Sequence, residues 1–160
     1  MPRYTIVLLA VTLAFTPGVR ADAPEAPHMA DDPDRRAVIP MNPAGRDVVL
    51  AEMRMFLKGV QQIAAGLADD DIETAAAAAR SLGLGMAETV PPEVAQQLPM
   101  EFRQLGRATH ADFDQIAMDL EAMGDSRHAL RQLGDTLNKC VACHATWRIE
   151  TGDLGRGLRP

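Results

Sequence analysis

The chain has 160 residues, is 47% hydrophobic with only 4% aromatic residues, and carries a formal charge of −6 at neutral pH. This length can bury the core of one domain. The acidic balance excludes a nucleic-acid-binding surface; it either serves solubility or suits partners with a basic docking patch.

Residues 1–21, MPRYTIVLLAVTLAFTPGVRA, have the make-up of a secretory signal peptide. Arg3 is the positive end, Tyr4 to Phe15 the apolar stretch, and Val19-Arg20-Ala21 a small-x-small cleavage site. The apolar run is too short to cross a bilayer, and no later segment is apolar enough to do so. A soluble, exported chain is expected, periplasmic in a Gram-negative cell, with no stable membrane insertion. Removal of Arg3 and Arg20 with the leader takes the formal charge from −6 to −8. Residues 22–42 are rich in Pro, Asp and Ala without periodicity, and read as a flexible lead-in. His28 and Met29 fall there and read as inert.

From Asn42 onward every long segment has a helical pattern. Asn42 can cap and Pro43 can take the first helical position. Val49, Leu50, Met53, Phe56, Leu57, Val60, Ile63, Ala64 and Leu67 then form an apolar face at helical spacing. Asp69 to Asp71 place carboxylates at the start of a second helix, where they favour its dipole. Its body, ETAAAAARSLG, stops near Gly83 or Gly85. The five alanines favour helix and would also allow close approach of a neighbour. Val90-Pro91-Pro92 breaks the chain, a short turn follows, and Pro99 opens a third long helix that ends near Gly124. Its stripe is Phe102, Leu105, Thr109, Phe113, Ile116, Leu120 and Met123. Gly124-Asp125-Ser126 makes a capped turn into a last helix, with Leu130, Leu133, Leu137, Val141 and His144 down one side and an end after Arg148. Residues 150–160 read as loop or disorder, and nothing reads as a strand. The expectation is an all-α domain over residues 43–149, an antiparallel up-down-up-down four-helix bundle.

The chemistry is concentrated in CVACH, Cys140 to His144, which holds both cysteines of the chain. A redox dithiol needs C-x-x-C at the start of a helix in a thioredoxin-like setting, whereas this one lies near a helix end in an all-α chain. A tetrahedral zinc ion needs four ligands, and beyond Cys140, Cys143 and His144 the plausible additions are His110 and His128. A disulfide across one helical turn is rarely relaxed, closes too short a loop to stabilise much, and leaves His144 unexplained. Covalent haem attachment uses all three residues. Sulfurs at i and i+3 reach the two vinyl groups of one porphyrin, and the next residue, His144, offers its imidazole to the iron as proximal ligand.

A helical chain with C-x-x-C-H near its C-terminus, followed by an aromatic residue and Arg, resembles the class II cytochromes c. These comprise cytochrome c′ and its low-spin, methionine-ligated relatives. The matching stretch is CVACHATWR, and the resemblance covers residues 43–149, specific at the motif and a matter of pattern elsewhere. It implies a four-helix bundle with one covalent haem c near the C-terminal end of the last helix, redox partner proteins, and often a homodimer. Trp147 stands where the family usually has Tyr. Three residues after His144, Trp147 reads either as a haem-edge contact or as ordinary core. Arg148, one turn after His144, reads either as a propionate partner or as a solvated helix end.

In an up-down-up-down bundle the start of the first helix lies beside the end of the last, so the other axial position falls to VVLAEMRMFLKGV. Met53 is at the centre of the apolar face. Met55 is about 200° further round the helix, away from the core. Methionines at helical spacing also fill cores, but a haem-facing Met53 would complete a six-coordinate iron suited to electron transfer. Met86, in LGLGMAETV, is a remoter candidate. In a competing register Leu50 matches the non-ligating distal residue of cytochrome c′, with Arg46 four residues earlier. The iron would then be five-coordinate and open to nitric oxide or carbon monoxide. With Met53 as the distal residue, Val49 occupies that earlier position and the family's distal Arg is missing. His110, beside the third stripe, reads as a surface or capping histidine, and His128 as solvent-facing. No Ser-His-Asp array, phosphate loop or paired carboxylates stand out, so a one-electron carrier is expected rather than an enzyme.

Overall fold

The computed structural model describes residues 34–151. The leader at 1–21, residues 22–33 with His28 and Met29, and residues 152–160 of the tail lie outside the described residues. Helix α1 (Pro43–Ala68) begins as its sequence dictates: the Asn42 side-chain oxygen accepts a hydrogen bond from Gly45 N at 2.8 Å, and Pro43 fills a position where no N–H is needed. Asp71 caps α2 (Ile72–Ser81), its carboxylate accepting from Thr74 N at 3.0 Å. Single turns α3 (Leu84–Ala87) and α4 (Pro92–Ala95) fill the break around Pro91 and Pro92. Helix α5 (Met100–Met123) stops at Gly124, whose φ of 63° is a left-handed conformation that glycine adopts without strain. Asp125 then caps α6 (Ser126–Thr146), accepting from His128 N at 2.9 Å. Among the described residues the protein is thus mostly helical, as the periodicity predicts.

α1 packs on α2, α2 on α5, and α5 on α6, with a looser α1–α6 contact. The alanines do more than favour helix. Ala75, Ala76, Ala78 and Ala79 are buried, and a Cβ on Gly66 would lie 2.9 Å from the Ala75 backbone nitrogen. Small residues on both helices bring their backbones together.

Among the described residues two apolar clusters result. The larger joins Ile63 and Leu67 of α1, the α2 alanines, Phe113, Ile116, Ala117 and Leu120 of α5, and Ala129 and Leu133 of α6. The smaller gathers Ile39, Met41, Val49 and Val94, with Phe102, Trp147 and Ile149 packed against it.

That smaller cluster overturns part of the sequence reading. Ala37–Pro40 form a strand, β1, and Trp147–Glu150 a second, β2, paired in parallel with Ala37 opposite Trp147 and Pro40 opposite Glu150. Met41 N donates to Glu150 O at 3.0 Å, and Ile39 and Met41 are fully buried. The compact unit begins at Arg35, inside the segment that composition assigns to a flexible lead-in. α6 accordingly stops at Thr146, before Arg148, because Trp147 turns extended to join β2.

The face of α6 also differs. Its buried positions are Ala129, Leu133 and Thr136, whereas Leu130 is 57% and Val141 69% exposed. The inward side lies about one residue round the helix from the leucine stripe.

Candidate functional site

Where α1, α5 and α6 meet, a cleft of about 490 Å³ opens, within the roughly 300–1,000 Å³ usual for small-molecule sites. α1 contributes Leu50, Met53, Leu57 and Val60, α5 contributes Phe102, Leu105 and Thr109, and α6 contributes Leu137, Cys140, Cys143 and His144. The cleft interrupts the core. Phe56 and Val60 on its wall pack against the larger cluster, while Met53 and Phe102 pack against the smaller. Leu57, 73% exposed, and Leu137, 37% exposed, are apolar side chains left at this opening.

Both thiols are half-buried and free, one helical turn apart. Burial pushes both above the ordinary thiol range, Cys143 further through the neighbouring Cys140, so each is a neutral SH group. Cys140 Sγ lies 3.9 Å from Thr136 O, a weak internal contact. His144 is exposed at the cleft, and its backbone carbonyl accepts from Arg36 Nη1 at 3.3 Å, tying the segment before β1 to the histidine. Among the described residues no group of three or more His, Cys, Asp or Glu side chains converges as a metal site. A porphyrin asks for less: thiols on one wall, a nitrogen donor beside them, and apolar surfaces for its faces. The residues present fit that requirement.

The remaining sequence candidates separate clearly. Met53 and Leu50 both line the cleft from α1. Met55 is 49% exposed, as its place on the wheel predicts. Met86 packs against the larger cluster, away from the cleft lining. Trp147 is not a lining residue; it stands behind the wall, edge-on to Phe102 at 5.6 Å between centroids. Arg148 belongs to β2, where its guanidinium pairs with Glu150, and is also absent from the lining. Arg46 lies 3.6 Å from Asp47 at the exposed start of α1. His128 is half-exposed, with Nε2 3.4 Å from Asp119 Oδ2.

One residue of the site escapes the sequence reading. His110, expected at the surface, is only 4% exposed and lines the cleft. Its Nδ1 lies 2.6 Å from Leu82 O, its Nε2 lies 3.4 Å from Glu52 Oε1, and its ring packs 4.9 Å from that of Phe56. Burial alone would lower its pKa; the Glu52 carboxylate and the Leu82 carbonyl outweigh it and hold the imidazole above its ordinary value. His110 therefore pins α5 to α1 and to the end of α2, and its position one step from Thr109 on the apolar side is the only signal in the sequence. On α6, Lys139 pairs with Asp112, which also accepts from Thr136 at 3.3 Å, so the helix bearing the thiols is anchored to α5. Comparison with protein-family models, curated proteins and solved structures gave no match for this chain.

Proposed function

We propose that the protein is an exported monohaem c-type cytochrome that carries single electrons between partner proteins. The observation that carries this reading is the pair of neutral thiols opening, with His144, onto an apolar gap in the core. On this reading Cys140 and Cys143 would hold the porphyrin as thioethers, and His144 and Met53, which line the same cleft, would be the donors to its iron. Haem iron supplies the one-electron redox change, and the chain supplies attachment, axial donors and an apolar surround. The four longer helices form an antiparallel up-down-up-down bundle with the haem towards the end of α6. Contacts from Asp70 to Ser126, Asp114 to Leu84 and β1 to β2 support that topology. Periplasmic residence, basic redox partners and a homodimer belong to the same proposal, resting on the leader, the charge and the family resemblance.

The second reading rests on Leu50, which lines the same wall as Met53. With Leu50 over the iron, the protein would bind nitric oxide or carbon monoxide instead. Optical spectroscopy separates the two. The carrier gives a low-spin spectrum with a sulfur-to-iron charge-transfer band that Met53→Ala abolishes. A high-spin ferrous protein that takes up carbon monoxide directly overturns it. Haem that survives denaturation and extraction in a Cys140→Ser/Cys143→Ser variant refutes the attachment scheme.

A further inference from the structure

We infer that Arg54 is the anion clamp of the cleft, holding the carboxylates of the bound porphyrin, in place of Arg148. This inference rests on the haem reading above and deepens it.

The argument begins with the macrocycle, whose vinyl groups and propionates lie at opposite edges. Thioethers to Cys140 and Cys143 fix the vinyl edge at α6, so the acid edge must lie away from that helix. Among the described residues two cationic side chains other than histidine line the cleft, Lys139 and Arg54. Lys139 is on α6 beside Cys140, and its ammonium is already paired with Asp112. Arg54 lines the cleft from α1, a different helix from the one that bears the thiols, it is exposed, and no carboxylate among the described residues lies within ion-pair distance of it. Arg148, the candidate offered by sequence spacing, pairs with Glu150 in β2.

Side-chain chemistry agrees. A guanidinium presents several N–H donors in a rigid fork that matches a carboxylate in two parallel hydrogen bonds. Its three-carbon stem can lie along the apolar wall while the charge stays in water.

The test uses the full chain, exported and haem-loaded, with resonance Raman spectroscopy of the propionate bending band. That band reports hydrogen bonding to the carboxylates and is insensitive to fold stability. Arg54→Gln is expected to shift it to the frequency of free propionates, and Arg148→Gln to leave it at the wild-type position. A band unmoved in Arg54→Gln, or moved by Arg148→Gln instead, overturns the clamp while leaving the cytochrome reading intact. Failure of the wild-type chain to take up covalent haem overturns the cytochrome reading and the clamp with it. Arg54 is exposed and makes no ion pair with the described residues, so its replacement leaves the fold standing.

Discussion

At the scale of single residues, the site divides into groups readable from local spacing and groups that are not. Cys140, Cys143 and His144 stand in one pentapeptide, so their placement together at the cleft is legible without a fold. His110 is not, because its partner Glu52 lies on α1, 58 positions away, and its other partner is a backbone carbonyl. Arg54 is illegible for the same reason: only the fold brings it to the cleft that the thiols line. The His110–Glu52 contact has a signature in pH. A native pKa above the ordinary value near 6.5 means that protonated His110 stabilises the fold fully below about pH 6.5, and that this contribution disappears as pH rises through the higher native value. Urea midpoints of the protein should therefore fall across and above the imidazole range. Glu52→Gln should flatten that fall. The hydrogen-bonded carboxylates of Asp71, Asp119 and Asp125, held below their usual range, act elsewhere: their contributions are lost only as pH drops through the carboxylate range. A slope unchanged by Glu52→Gln would show that the Leu82 carbonyl, and not Glu52, holds the imidazole above its ordinary value.

At the scale of elements, helix boundaries were legible and strands were not. Asn42 with Pro43, Gly124, and Asp125 mark helix ends through hydrogen bonds to residues within one turn, so the sequence around each carries the whole signal. AVIP and WRIE are four residues each, too short for alternation to register, and each becomes a strand only through the other. The inward side of α6 was hidden for a different reason. Ala129 and Thr136 are buried but only weakly apolar, while the exposed Leu130 and Val141 look like core residues. β1 makes a strong prediction. Ile39, within β1, is fully buried, so Ile39→Ala should destabilise the protein by about 2–5 kcal/mol, measured by urea denaturation. If residues 35–41 were a loose lead-in, the substitution would have no effect.

At the scale of the whole molecule, the feature that matters is a core in two parts with an opening between them. A domain of this size ordinarily closes one continuous core, and no hydrophobicity pattern announces a gap, because the residues lining it are the same leucines, methionines and phenylalanines that would fill it. Covering Leu57 and Leu137 is worth on the order of 3 kcal/mol at roughly 25 cal/mol per Å². If the cleft takes the haem proposed for it, calorimetry should therefore find the loaded protein melting roughly 10 °C above the unloaded chain. Equal melting temperatures would mean that nothing apolar occupies the opening. Trp147, the chain's one tryptophan, stands at the hinge of all this, in β2 and against the back of Phe102. Its light emission is thereby a two-channel reporter native to the molecule. Parting of β1 from β2 would wet the indole and redden its emission, whereas a coloured group arriving in front of Phe102 would quench it by energy transfer without a change of colour. The opening of the terminal strands and the filling of the cleft can thus be followed separately, in one cuvette and without a label.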